Sequence, residues 1–213
     1  MFYTNLKLTV DKFTDSKDRM SQLYYTLRNW ESQIVTKIQS LILTQTALPY
    51  IHFSKKITKT NRYYIYLGGL LFFDITIFWK TVVIFYLSRF LTLILKNYLK
   101  QPRPYNSYNE IRYLSKPKTS YSFPSQSMVS AVIVYHSYRR IGLGWISDYY
   151  FGFIMMLLSI TRIYRGLHYP HDMIVSLALG YLVERTVLST ITIIAGLICV
   201  GQLILTPCRS SSD

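Results

Sequence analysis

Long apolar runs constrain this chain more than any other feature. Residues 63–79, 82–95, 146–160 and 186–205 are dominated by Leu, Ile, Val, Phe and Tyr, with shorter runs at 125–138 and 171–183. The apolar residues are clustered, not spaced at the periods of a globular core. Crossing a bilayer as a helix takes roughly 20 such residues. Backbone in lipid has to close its hydrogen bonds within the segment, which favours helices. The expectation is therefore an all-α, multi-pass transmembrane helical bundle. Lys and Arg outnumber Asp and Glu by 24 to 10, giving a formal charge of +14 over 213 residues. In a soluble protein that balance points to nucleic acid. Here the basic residues cluster at the ends of apolar runs, where they fit a lipid bilayer with anionic head groups and argue for no nucleic-acid partner. Cys199 and Cys208 make no disulfide framework. Residues 1–7 lack the apolar core of a secretory signal, so insertion is expected to rely on an internal segment.

Three regions follow from composition. Residues 1–62 form an N-terminal amphipathic or interfacial region, 63–206 a membrane-embedded domain, and 207–213 a polar tail expected to be disordered. Within the first region, Met20, Leu23, Leu27, Trp30, Ile34 and Ile38 recur at helical spacing and predict an amphipathic helix from about Arg19 to Ser40. Leu41–Phe53 is apolar but interrupted by Thr44, Gln45, Thr46 and Pro49, and a basic loop, Ser54–Arg62, follows. In the membrane domain the pattern predicts helices over Tyr63–Trp79 and over Val82 to about Gln101, the latter stopped by Pro102. A polar loop is expected at 102–122. Further helices are expected at Ser125–Tyr138, Ile146–Ile160, His171–Val183 and Thr186–Leu205, the last two separated by Glu184-Arg185.

Against this apolar background, residues 161–172 carry two arginines, two histidines and a carboxylate. Ionisable groups among membrane-length segments are costly and mark function by default. Pro170 is suited to the first position of the helix that follows, which places Asp172 in its first turn and His168 just outside. A carboxylate there can accept the proton of one ring nitrogen of His168 and leave the other nitrogen to attack. The plainer alternative is that Asp172 favours a helix start and the arginines anchor the chain at the membrane edge. Upstream lie Lys96-(six residues)-Arg103-Pro104 and Phe123-Pro124-Ser125-Gln126-Ser127. Lys96 and Arg103 are two turns apart at a helix end. Ser125 stands at a helix N-terminus, where backbone N–H groups favour an anion.

In that order, and ending in Thr161-Arg162-(five)-His168-(three)-Asp172, the three stretches resemble the type 2 phosphatidic acid phosphatase superfamily. These are membrane lipid phosphatases related to bacterial acid phosphatases and vanadium haloperoxidases. The first stretch matches the family pattern fully, and the third matches with Thr161 for Ser. The second keeps Pro124 and Ser125 but has Gln126 for Gly and Ser127 for His. The resemblance implies an active site at one membrane face and hydrolysis of a lipid phosphate or pyrophosphate monoester through a phosphohistidine. In that scheme His168 is the nucleophile and Asp172 orients it. Lys96, Arg103, Ser125 and Arg162 bind the phosphate, with no metal or other cofactor. His168 and His171 lack the further His, Cys or Glu at ligand spacing that a metal site needs.

Ser127 stands where the family carries its proton donor. Either the substrate has a better leaving group, or another residue such as His171 supplies the proton, or the chain is a catalytically weak or inactive lipid-phosphate-binding relative. A lipid phosphotransferase is the other alternative. The expected location is integral to a membrane, the endoplasmic reticulum or plasma membrane in a eukaryote. Charge counting would place the site on the cytoplasmic side, whereas the resemblance implies a site facing away from the cytosol, so the orientation stays open.

Overall fold

The computed structural model describes residues 22–41, 63–112 and 119–205, with side chains as far as 194. Every regular element among these residues is a helix: α1 (22–41), α2 (Tyr63–Leu70), α3 (Ile75–Leu99), α4 (Pro104–Ser107), α5 (Gln126–Arg140), α6 (Gly144–Tyr164) and α7 (Pro170–Leu205). Among the described residues three segments are long and apolar enough to cross a membrane: Ile75–Ser107, Gly144–Tyr164 and Pro170–Ile194. The expectations for the interrupted apolar segment after Leu41, the basic loop to Arg62 and the C-terminal tail lie outside the described residues.

At the centre is α5, which α2, α3, α6 and α7 all contact. Its residues Ser127 to Val134 are all buried. Small side chains (Ser127, Ser130, Ala131 and Ser137) let neighbouring backbones come close, as between helices in lipid. On α7 the matching small residue is Gly180. A Cβ there would lie 2.9 Å from the Cβ of Val132 and 3.2 Å from the carbonyl oxygen of Val129. Outward faces carry Phe90, Leu93, Ile174 and Leu182, exposed in the isolated chain and suited to lipid.

Three helix boundaries differ from the sequence expectation. The run 63–79 breaks at Leu71–Phe73, because Asp74 caps a new helix: its Oδ1 accepts from Thr76 N–H at 2.7 Å and Ile77 N–H at 3.0 Å. Lys80, expected at a boundary, is interior to α3. At the other end α3 stops where predicted, with Lys100 left-handed at φ 45° just before Pro102. Glu184-Arg185 does not divide the last apolar stretch. It lies inside the continuous α7, because Glu184 is buried and ion-paired with Arg140 at the C-terminus of α5. A charge thus neutralised does not have to leave the helix.

The N-terminal helix is two-sided, as its spacing predicts. Its apolar side, with Leu23 at 70% and Trp30 at 59% exposure, faces away from the bundle. Its buried side carries Arg28, Glu31, Val35 and Gln39. Gln39 donates to the carbonyls of Arg112 (2.9 Å) and Tyr164 (2.8 Å) and accepts from Arg112 N–H (3.0 Å), so polar bonds seat α1.

The tight α5–α7 crossing yields a test. Gly180→Ala forces a Cβ against a backbone-fixed neighbour and should destabilise the fold by about 1–3 kcal/mol. Gly152→Ala, whose Cβ would meet nothing within 4 Å, should be neutral or stabilising. Thermal unfolding in detergent compares the two.

Candidate active site

Helix α6 ends in a turn that aims the next residues back at the bundle. Gly166, in the left-handed region at φ 66°, donates to Ile163 O at 2.9 Å, and Leu167 donates to Arg162 O at 3.1 Å. This is the Schellman pattern. A Cβ on Gly166 would lie 2.9 Å from Ile111 Cγ2, so position and conformation both call for glycine. The turn buries Leu167 and sets His168, 3% exposed, immediately before α7. Pro170 is the first residue of α7, as its sequence position predicts.

Around that turn the predicted stretches converge. The Leu167 carbonyl accepts from Arg103 Nη1 at 2.8 Å, which puts the guanidinium one residue from His168. Arg103 also reaches Ser120 O (2.8 Å), Ser120 Oγ (3.0 Å) and Tyr121 O (3.1 Å). Lys96 Nζ donates to Tyr121 O at 2.7 Å and Ser122 O at 3.2 Å. The strap 120–122 is thus gripped by both cations. Beyond it the chain enters α5, where Ser125 N–H donates to Ser176 Oγ at 2.7 Å. Arg162, buried in the last turn of α6, donates through Nη2 to Ser127 Oγ at 2.6 Å.

Ser125 is the N-cap residue of α5, yet its hydroxyl makes no capping bond. It is fully buried, and among the described residues Oγ has no hydrogen-bond partner. A buried hydroxyl in that state is available to a ligand oxygen.

Asp172, with 0% exposure, is the most heavily bonded member. Oδ2 accepts from Tyr169 N–H at 3.0 Å, the back-bond of a helix start, and from the Ser122 hydroxyl. Oδ1 accepts from Gln101 Nε2 at 2.9 Å and lies 3.0 Å from His171 Nε2. His168 Nδ1 stands 3.6 Å from Oδ2, an ion-pair distance longer than a hydrogen bond. The helix-start role and the histidine-facing role therefore coexist on one carboxylate. Gln101, Ser122 and Ser176 join the site without any sequence signal that singled them out. Ser176 was the most accessible to inference, one helical turn beyond Asp172.

Burial pushes the His168 imidazole down to about 3; Asp172 opposes the shift, and the charges of Arg162 and Arg103 add to it. His168 is accordingly neutral at pH 7, the state a nucleophile requires. Its folded value lies below the unfolded ~6.5, so between the two the unfolded chain binds the extra proton and stability falls with falling pH. From pH 7 to pH 5 this group alone should remove about 2 kcal/mol. His168→Gln should unfold with a flatter pH dependence than the native protein over that range.

The model for the PAP2 superfamily matches residues 77–195, more than half the chain, and takes in every site residue named above. In fold, the chain is similar to the crystal structure of Aquifex aeolicus LpxE, with a TM-score of 0.65 and 20% identity over 74% of this chain and 93% of that one. It also matches the crystal structure of the first transmembrane PAP2-type phosphatidylglycerolphosphate phosphatase from Bacillus subtilis, with a TM-score of 0.48 and 22% identity over 76% of each chain. No curated protein sequence matches it significantly. With the family match spanning most of its membrane helices, the chain belongs to the PAP2 superfamily.

Proposed function

We propose that the chain hydrolyses a lipid phosphate or pyrophosphate monoester through a phosphohistidine on His168. The observation that carries this reading is a buried, neutral histidine flanked by Arg103 and Arg162, with a buried carboxylate on its Nδ1 side. Lys96, Arg103 and Arg162 supply fixed positive charge for the phosphoryl oxygens, and Ser125 Oγ a further hydrogen bond. His168 Nε2 attacks phosphorus, the P–N bond forms, and the P–O bond to the lipid breaks with the electron pair leaving on oxygen. Water then attacks phosphorus, the P–N bond breaks, and inorganic phosphate leaves. Asp172, 3.6 Å from Nδ1, stabilises the charge that develops on the ring. Among the described residues no group of three or more His, Cys, Asp or Glu is arranged to hold a metal. The proposed reaction uses the three cations instead.

Ser127, bonded to Arg162, directs the choice of substrate. A serine hydroxyl does not act as an acid near neutral pH, so the leaving oxygen departs unprotonated. That favours pyrophosphates, whose leaving group is stable as an anion, over simple monoesters such as phosphatidate. The same observation supports the weaker alternative, a protein that binds lipid phosphates and turns them over slowly.

Phosphate release from lipid mono- and pyrophosphates by the purified protein in chelator separates the two. His168→Ala should abolish release while leaving the protein folded, and Asp172→Asn should lower it by about 10²-fold or more. Near-native turnover by His168→Ala, or strict dependence on added magnesium, would refute the mechanism.

Restoring the family's donor is the complementary test. Ser127→His, with Gln126→Gly for room, should raise turnover of phosphatidate by up to ~10²-fold. Pyrophosphate turnover should rise far less.

A further inference from the structure

Asp172 is approached from a second side by residues that the proposed reaction does not use. Helix α1 carries Glu31, only 2% exposed, to the N-terminus of α7. There Glu31 Oε1 accepts from the backbone N–H of His171 at 2.9 Å, and Oε2 lies 2.6 Å from His171 Nδ1. The other ring nitrogen, Nε2, lies 3.0 Å from Asp172 Oδ1 and 3.1 Å from Gln101 Nε2. The imidazole is stacked against Tyr169, with centroids 5.7 Å apart and planes 18° apart, and against Phe123 at 6.3 Å and 28°. Arg28, also from α1, lies over the Tyr169 ring at 4.3 Å.

An anchor for α1 alone would need only the backbone bond to His171 N–H. The second bond does something else. With one nitrogen fixed by Glu31, the other beside Asp172, and the ring stacked with Tyr169 and Phe123, the imidazole cannot rotate without losing both carboxylate contacts. Its opposite nitrogen is therefore presented to Oδ1 of Asp172 at a fixed place, which leaves Oδ2 as the oxygen facing His168.

We infer that Glu31 and His171 are positioning residues: α1, through Glu31 and the His171 ring, sets the orientation of the Asp172 carboxylate and hence of His168. This rests on the reading of His168 and Asp172 as the reacting pair. It also assigns His171 a role other than proton donor to the leaving group, since both its nitrogens are already engaged.

The test uses the full-length protein labelled with ¹⁵N-histidine in lipid nanodiscs, together with steady-state kinetics on lipid mono- and pyrophosphates. Glu31→Gln should shift the ring resonances of His168, which it does not touch, as well as those of His171. It should lower kcat by about tenfold, as loss of an outer partner of an orienting group does, with KM changed less than about twofold. In the Asp172→Asn background Glu31→Gln should have almost no further effect, because it acts through that carboxylate. Gln39→Ala serves as control: it weakens the seating of α1 near its C-terminus without touching His171, and should leave the His168 resonances in place. If the native protein releases no phosphate yet His168 responds to Glu31→Gln and not to Gln39→Ala, the positioning link stands and the phosphatase reading falls. The inference is overturned if His168 ignores Glu31→Gln, if Gln39→Ala reproduces the effect, or if the kinetic losses of Glu31→Gln and Asp172→Asn multiply.

Discussion

A fully buried carboxylate is the constraint on which the site depends. Removing an ionised Asp from water is tolerable only when fixed donors replace the lost solvent. Asp172 obtains them from four places in the chain: Gln101 after α3, Ser122 in the strap, the Tyr169 backbone at the start of α7, and His171 beside it. Each donor fixes a segment. Satisfying one carboxylate therefore brings together the end of α3, the entrance to α5 and the turn between α6 and α7. The same segments carry Lys96, Arg103, Ser125, Arg162 and His168. Charge satisfaction and site assembly are one process here, and a half-satisfied version would be worse than an apolar core.

The helices supply the rigidity that this arrangement needs. Because α5 is buried over most of its length and contacts four neighbours, its N-terminal residues Ser125 and Ser127 have little freedom to drift. Arg162 is fixed by the end of α6 and by its bond to Ser127. The bond also engages the small side chain that stands where the family pattern has a histidine. Loops govern the rest, and both the strap at 120–122 and the turn at Gly166 are held by backbone hydrogen bonds as well as by side chains.

Much of this was legible in the sequence, for physical reasons that differ by residue. The all-α class followed from the apolar runs, and the start of α7 at Pro170 followed from proline's fixed φ and missing N–H. Arg162, His168 and Asp172 stood out because charge within apolar surroundings is rarely neutral in meaning, and Lys96 and Arg103 through the family pattern they match. Other features depended on partners distant in sequence. Nothing local reveals that Glu184 is neutralised by Arg140, so the sequence pattern divided α7 in two. Asp74 looked like one more polar residue in a span, although Asp before an apolar run is also a cap. The periodicity of α1 marks it as amphipathic, but does not say which face meets the bundle. Which face of a helix is buried depends on what lies opposite, and opposite α1 are a helix N-terminus and exposed carbonyls that need polar partners.

The Arg140–Glu184 pair has a consequence for the membrane around the protein. It belongs to a layer with Arg139, Asp148 and Arg185, on the side of the bundle away from His168. From Ser125 to Arg140, at ~1.5 Å per residue, is only ~22 Å, while an ordinary hydrocarbon core measures ~30 Å. Helix α5 does not meet lipid at that depth, because its neighbours enclose it. The exposed Arg139 and Arg185 reach the head groups by extending their aliphatic stems. Lipid beside this layer therefore meets hydrocarbon stems, while the Arg140–Glu184 pair keeps its charges inside the bundle.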